Sequence, residues 1–374
     1  MPATVVGAAE TAYARHAGAT VDTRAVLGEA ASLALADAGI SASDVDGLAV
    51  ASFSLAPDHA IDLAWRLGLR LRWLLEDTNG GASGLDMLAQ ASTALAAGDA
   101  STILILAGDA QGAAAVAERQ AAFNAATRDH LAPLHYGGPN SLFAMLTQRQ
   151  MAATGLEHED YGRVVIAQRR WAADNPGAVY REPLTMAQYL AAPLVAEPLR
   201  RYDCVPGVAG ADAIVLRAEG GAVHVRATGR SFNHDDQSGD GLQTGLRQIA
   251  PALYEQAAVA PSDLDLACLY DDYPAIVLAQ LADAGIAPDD DIAGYVRSTL
   301  AERRFALNTS GGMLSCGQAG AAGGLHGLVE AVRQLRGEGG ARQVAGARLA
   351  LVSGYGMLLY RYGAASAAAI LERR

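Results

Sequence analysis

The sequence contains no lysine, and all 28 of its basic residues are arginine. A chain without lysine cannot form a Schiff base, anchor pyridoxal phosphate or supply the lysine of a phosphate-binding loop. Whatever the cause of this composition, it excludes several large classes of enzyme.

Cysteine is scarce, and the spacing of Cys204, Cys268 and Cys316 fits neither a metal site nor a disulfide framework. We therefore expect reduced thiols and no bound metal. No apolar run approaches the roughly 20 residues that span a bilayer. The N-terminus lacks the basic and apolar blocks of a signal peptide. The sequence thus predicts a cytoplasmic protein without a membrane span.

Positive charge is also in deficit, because the net charge is −12 at pH 7. This charge disfavours nucleic acid and anionic membrane surfaces as partners. A phosphate-bearing ligand stays possible, since it needs only a local basic patch. The hydrophobic fraction of 51% and the charged fraction of 18% are typical of a soluble protein with a large core.

Two segments of the chain share one pattern, a glycine-rich turn followed by an alanine-rich helix and an apolar strand. They cover residues 78–109 and 307–352. Gly98 and Gly337 are placed to end the two helices. Small residues on several faces of both helices indicate that they are buried and closely packed. The sequence therefore predicts a duplicated α/β unit with two central helices.

The predicted duplication divides the chain into a first half, residues 1–220, and a second half, residues 221–374. The stretch from about residue 113 to residue 200 has a different composition, rich in Gln, Arg and Tyr and interrupted by proline. We interpret it as a helical and loop insertion that caps a pocket. The turn "YDDYP", residues 270–274, follows a predicted strand, at the edge where open α/β sheets bind ligands.

Several stretches together resemble the thiolase superfamily, in particular its sterol-carrier and lipid-transfer members. They are "GGASG", "AQRRWAADNPGAVYREPLT", "LYDDYPAIVLAQLADAG" and "LNTSGGMLSCGQAGAAGGLHGLVEAVRQLRG". The resemblance implies a five-layered αβαβα fold of two similar halves. It also implies a homodimer or larger assembly that binds acyl-CoA thioesters, with coenzyme A as part of the substrate and no tightly bound cofactor.

The chain departs from the thiolase pattern at each chemical position. Gly81 stands where thiolases have the nucleophilic cysteine, and Gln318 stands where they have a histidine. The C-terminal loop Val352–Gly356 lacks the cysteine that serves condensing thiolases as a base. An acyl-cysteine mechanism through these positions is therefore excluded.

Two phenols and an acid occupy the loops that the resemblance brings over the pocket. Tyr270 and Asp271 lie in the "YDDYP" turn, and Tyr355 lies in the C-terminal loop. A phenol can accept or donate a proton when its surroundings shift its pKa. We expect Tyr270, Tyr355, Asp271 and Gln318 to be catalytic, with Tyr270 as base and Tyr355 as acid. Aromatic packing with a satisfied hydroxyl is the alternative for the two phenols, and ordering a loop through backbone hydrogen bonds is the alternative for Asp271.

The resemblance also implies which groups would contact the substrate. Backbone amides at the start of the first central helix could stabilise an oxyanion without a side chain. His135 lies where the family has its substrate channel. The expected oxyanion and substrate-binding residues are Gly81, Ala82, Ser83, Gly317, Cys316 and His135.

One reaction fits this set of groups, the retro-aldol cleavage of a β-hydroxyacyl-CoA, which requires neither lysine nor an acyl-cysteine. Members of the family that lack the nucleophile act as aldolases on steroid side-chain thioesters. They work with a small OB-fold partner, often carrying a zinc ribbon, in a heterotetramer. Two alternatives stay open: a non-catalytic acyl-CoA-binding or scaffolding subunit, and an acyltransferase that uses Cys316.

Overall fold

The computed structural model describes most of the chain: residues 3–15, 21–110, 118, 125–131, 133, 138–235, 239–359 and 362–374. The first half contains β1 (Thr4–Glu10), α1 (Thr23–Asp37), β2 (Gly47–Ala51), α2 (His59–Arg66), β3 (Trp73–Asp77), α3 (Ser83–Ala97), β4 (Thr102–Asp109), α4 (Ala125–His130), α5 (Gly138–Thr154), α6 (His158–Ala172), α7 (Met186–Leu190), β5 (Leu194–Ala196), β6 (Leu199–Arg200) and β7 (Gly210–Arg217).

The second half repeats the order of strands and helices without a comparable insertion. It contains β8 (Val223–Phe232), α8 (Leu246–Ala257), β9 (Leu266–Cys268), α9 (Pro274–Asp283), α10 (Ile292–Tyr295), β10 (Ala306–Leu307), α11 (Met313–Cys316), α12 (Gly323–Arg336), β11 (Leu349–Leu359) and β12 (Tyr362–Arg373).

Ten strands form one mixed sheet in the order β10-β9-β11-β12-β8-β1-β7-β4-β2-β3. The halves meet where β1 pairs antiparallel with β8, with Val5 opposite Val223. Counted outward from this junction, both halves place their strands in the same order: the first, fifth, fourth, second and third strand that each half contributes to the sheet. The short hairpin of β5 and β6 is separate from this sheet.

The central helices α3 and α12 share a core with the inner faces of both half-sheets. Helices α1 and α2 cover the outer face of the first half, and α8 and α9 cover that of the second. This is the expected five-layered, thiolase-like α/β fold. The central helices approach each other so closely that a β-carbon at Gly84 would overlap the carbonyl group of Gly324. Both helices end at left-handed glycines, Gly98 and Gly337, as the sequence predicts.

The described part of the predicted insertion is mainly helical, with α5 and α6 as its longest elements. His135, an expected channel residue, lies outside the described residues. None of the helices that the structure describes is both long and apolar enough to cross a membrane.

Candidate functional site

The site lies where β9 ends, between β10 and β11 of the second half-sheet. The backbone of Tyr270 is fixed on both sides: its N–H donates to Ser353 Oγ at 3.2 Å, and its carbonyl accepts from Gln280 Nε2 at 2.7 Å. Ser353 Oγ in turn donates to Gln280 Oε1 at 2.6 Å. Residues of β11 and α9 therefore set the direction of the Tyr270 side chain.

The phenol of Tyr270 points at the start of α3. A β-carbon at Gly81 would overlap the Cε2, Cζ and Oη atoms of this ring. Gly81 belongs to the single helical turn Gly80–Ala82 that precedes α3. The phenol therefore occupies the space that a cysteine side chain at position 81 would need.

Gln318 holds the phenol from the loop between α11 and α12. Its backbone is bonded to the strand-like segment before β7, since its N–H donates to Pro206 O at 2.9 Å and its carbonyl accepts from Val208 N at 3.1 Å. Its side-chain Nε2 donates to Tyr270 Oη at 2.8 Å. The phenolic oxygen is thus an acceptor for Gln318, and the phenolic proton is left for another acceptor.

Burial raises the pKa of Tyr270 well above its usual value, and the carboxylates of Asp272 and Asp271 raise it further. The bond from Gln318 opposes this shift. The side chain is only 6% exposed. At neutral pH, Tyr270 is therefore a neutral phenol that can donate a proton, rather than a phenolate.

Tyr355 belongs to the same apolar cluster as Tyr270, together with Met313 and Leu358. Its oxygen accepts a hydrogen bond from the backbone N–H of Gly363, across the β11–β12 hairpin. A β-carbon at Gly363 would overlap the ring of Tyr355. Burial raises the pKa of Tyr355 strongly. The two phenols thus share one cluster, although Tyr355 is held by its own hairpin.

Asp271 is bonded to the start of α11, where it orders a loop. Its carboxylate accepts from the N–H groups of Met313, at 2.9 Å, and Leu314, at 3.3 Å, at the start of α11, and from Gln168 Nε2. Burial raises its pKa to about 7 against the effect of these bonds. These bonds favour the loop-ordering role, one of the two roles that the sequence leaves open for Asp271.

The expected oxyanion donors are partly used within the helix start. Ala82 N–H donates to Asn79 O at 3.2 Å, and Ser83 N–H donates to Gly80 O. The hydroxyl of Ser83 is buried without a hydrogen-bond partner among the residues that the structure describes. Closure of this turn directs the donors of Ala82 and Ser83 inward. Of the three expected positions at this helix start, Gly81 is the one in contact with the phenol.

Cys316 is buried in the packing between α6 and α11. Its Sγ accepts from Asn175 Nδ2 at 3.3 Å and donates to Ser310 O at 3.2 Å. Burial raises its pKa, although the fold brings His326 beside it. Gly317 ends α11 in a left-handed conformation against Val208. The thiol is therefore enclosed between Asn175 and Ser310 instead of being open to solvent.

Asp272 is a site residue that the sequence reasoning missed. Its carboxylate is close enough to raise the pKa of Tyr270, Tyr355 and Cys204. The available signal was its place as the second acid of the "YDDYP" turn, two residues after Tyr270.

Comparison with known proteins finds similarity to thiolase-like proteins and to CoA lyases over most of the chain. A family model described as "Thiolase C-terminal domain-like" matches residues 227–373. The chain is 29% identical over 361 residues to the 17-hydroxy-3-oxo-4-pregnene-20-carboxyl-CoA lyase of Mycobacterium tuberculosis, covering 90% of this chain and 92% of the relative. It is also 29% identical to the steroid side-chain-cleaving aldolase of Thermomonospora curvata, covering 90% of each chain.

Solved structures agree with this relationship. A chain of the Ltp2-ChsH2(DUF35) aldolase superposes with a TM-score of 0.84 at 25% identity, covering 100% of this chain and 98% of that one. A monomeric SCP2-thiolase-like protein type 1 from Mycobacterium smegmatis superposes with a TM-score of 0.74 at 18% identity, covering 99% of this chain and 77% of that one. The second similarity concerns the fold alone.

Proposed function

We propose that this thiolase-like chain, a homologue of steroid side-chain-cleaving CoA lyases, is a carbon–carbon lyase that cleaves a β-hydroxyacyl-CoA by a retro-aldol reaction. The observation that carries the proposal is the position of Tyr270, whose phenol replaces the thiolase nucleophile at Gly81 and is held there by Gln318. The 29% identity to two such lyases supports it.

The geometry supports a donor role for Tyr270, in place of the base expected from the sequence. Cleavage of the Cα–Cβ bond leaves an enolate on the thioester, and a donor aimed at its oxygen stabilises the transition state. Tyr270 has such a proton because Gln318 already occupies its oxygen as a donor. Tyr355 is proposed as the acid that protonates Cα, since its oxygen likewise accepts a backbone N–H.

The test is carbonyl release from a panel of β-hydroxy-β-branched acyl-CoA thioesters, including steroid side-chain thioesters. The purified chain is assayed with and without proteins that co-purify with it, and products are identified by mass spectrometry. We expect a ketone or aldehyde together with the shortened acyl-CoA. If the complete panel yields no carbonyl product under either condition, the proposed activity is wrong.

We further propose that the active assembly includes a second polypeptide, a small OB-fold protein with or without a zinc ribbon, in a heterotetramer. The similarity to a chain solved as the Ltp2-ChsH2(DUF35) aldolase supports this idea. Co-expression with such a protein should yield a complex of defined mass by light scattering. Separate elution of the two proteins, with full activity in this chain alone, would contradict it.

A homodimer is proposed through the edge of the first half-sheet. Strand β3 is the terminal strand of the sheet, and Leu74 on it is 42% exposed. Beside it, Ile61 and Trp65 of α2 are 65% and 78% exposed. An open edge with apolar neighbours favours pairing with a second copy. Trp65→Glu should therefore shift the mass measured by light scattering from dimer toward monomer.

A subunit that binds acyl-CoA without turnover is the second candidate, and the burial of both phenols favours it. Calorimetric titration with a CoA thioester separates the two functions. Binding without carbonyl release across the panel would favour the non-catalytic subunit. The third possibility, acyl transfer by Cys316, is opposed by the burial of that thiol.

A further inference from the structure

The two adjacent acids after β9 have different surroundings. Asp271 has backbone donors and Gln168 as partners, as described above. The Oδ1 atom of Asp272 is buried and has no hydrogen-bond partner among the residues that the structure describes. A buried polar atom without a partner is costly, so its presence at a candidate site calls for a ligand or a chemical role.

The charge of the Asp272 carboxyl is coupled to both phenols. Its negative charge raises the pKa of three groups: Tyr270, two residues earlier, Tyr355 on β11, and Cys204 in the loop before β7. The charge of Asp271 disfavours ionisation of the Asp272 carboxyl, whereas the backbone N–H groups of Asp272 and Tyr273 favour that ionisation. The buried, unpartnered carboxyl oxygen is therefore within electrostatic reach of the apolar cluster that holds both the donor proposed for the enolate oxygen and the acid proposed for Cα.

We propose that Asp272 is the general base of the cleavage, taking the proton of the substrate's β-hydroxyl group through its unpartnered Oδ1. This inference rests on the proposed lyase activity. It assigns the general base, a role that the two neutral phenols do not fill. A resting phenolate is disfavoured at Tyr270 and Tyr355, whereas a carboxylate with a free oxygen is a ready acceptor.

The proposed step balances without any outside reactant. The hydroxyl proton moves to Asp272, its O–H electron pair forms the carbonyl double bond, and the Cα–Cβ bond breaks. The electron pair of that bond enters the thioester as an enolate, to which Tyr270 donates a hydrogen bond. Tyr355 then protonates Cα and regains a proton from Asp272. One β-hydroxyacyl-CoA thus gives one carbonyl compound and one shortened acyl-CoA.

Burial and the neighbouring Asp271 raise the pKa of Asp272 well above its usual value. A base with a raised pKa accepts a proton more readily near neutral pH. Catalysis should therefore decline as pH falls through the raised pKa, because protonated Asp272 cannot act as a base. Tyr270, Tyr355, Cys204 and Asp271 are the titratable groups that face it.

The experiment compares Asp272→Asn and Asp272→Glu with wild type in carbonyl release across pH. Asp203→Asn is the matched control, because Asp203 is a buried carboxyl with a pKa raised to about 6 and its partner is the Tyr189 hydroxyl. We expect Asp272→Asn to lower kcat about 10²- to 10⁴-fold and to abolish the acidic decline of kcat/KM. Asp272→Glu should retain partial activity with a shifted acidic decline.

The outcomes separate this inference from the proposed function. Absence of carbonyl product with wild type refutes the lyase itself. Wild-type cleavage with an unchanged rate and an unchanged acidic decline in Asp272→Asn refutes the role of Asp272 alone. If Asp272→Asn does not fold, Asp272→Glu decides: a shifted acidic decline supports the base, and an unshifted one overturns it.

Discussion

The ring of Tyr270 occupies the space beside Gly81 that a side chain at position 81 would need. The resemblance to thiolases implies a cysteine at the position of Gly81, and the structure leaves no room for such a side chain beside Tyr270. The absence of a side chain at one position makes room for the phenol at the other. This pairing links the missing nucleophile to a replacement group.

Tyr270→Phe should remove the proposed donor while retaining the ring. Loss of one oxyanion donor typically lowers kcat about 10²- to 10³-fold, and we expect a loss of this size in carbonyl release. Tyr254→Phe is the matched control, since its buried hydroxyl donates to Ala284 O at 2.9 Å in the outer layer. Full turnover of Tyr270→Phe would remove Tyr270 from the mechanism.

Gly81→Ala should be strongly destabilising only while Tyr270 is present. Overpacking a filled core costs about 1–3 kcal/mol of unfolding free energy, and the added β-carbon would overlap the ring. In a Tyr270→Ala background, the same substitution should cost much less. Denaturant unfolding of the four proteins measures this coupling. Equal costs in both backgrounds would contradict the contact.

The protein should become less stable as pH rises from about 5 to about 8, because buried carboxyls titrate at higher pH in the folded than in the unfolded state. Asp271 and Asp212 have pKa values raised to about 7, and that of Asp283 is raised to about 6. The folded protein therefore binds more protons than the unfolded chain over this range. The raised pKa of His326 acts in the same direction.

Thermal unfolding in buffers across this range tests the expectation. Asp271→Asn should show a smaller decline of Tm with pH than wild type, since one of the raised carboxyls is removed. A Tm that stays constant or increases between about pH 5 and about pH 8 would be incompatible with these buried carboxyls.

Cys316 should be unreactive in the native protein. Its thiol is 1% exposed and bonded to Ser310 O and Asn175. After exposure to acyl-CoA, intact mass measurement should show no adduct, whereas iodoacetamide should label all three cysteines once the chain is unfolded. Cys316→Ala should retain carbonyl release. An acyl adduct on Cys316 would instead favour the acyltransferase.

Much of the scaffold could be predicted from the sequence, because it depends on local pattern. Gly98 and Gly337 end their helices where the left-handed conformation is required, and the glycine-rich turns precede α3 and α12 as expected. The repeated order of strands and helices was visible as two similar segments. The resemblance to thiolases then correctly predicted the five layers.

The site was harder to predict, since its contacts join distant segments. Cys316 has no basic neighbour in sequence, yet the fold places His326 beside it. Tyr355 is held by Gly363, a contact that depends on the register of the β11–β12 hairpin. Asp271 and Asp272 have different hydrogen-bond partners, because the segment after β9 meets the start of α11 at Asp271.

The most direct measurement is a crystal structure with an uncleavable acyl-CoA that lacks the β-hydroxyl group. The account predicts that Tyr270 Oη lies about 2.5–3.0 Å from the thioester oxygen, with Gln318 still bonded to the phenol. A thioester bound elsewhere, with the phenol of Tyr270 still enclosed between Gly81 and Gln318, would contradict the central claim that this phenol has replaced the thiolase nucleophile.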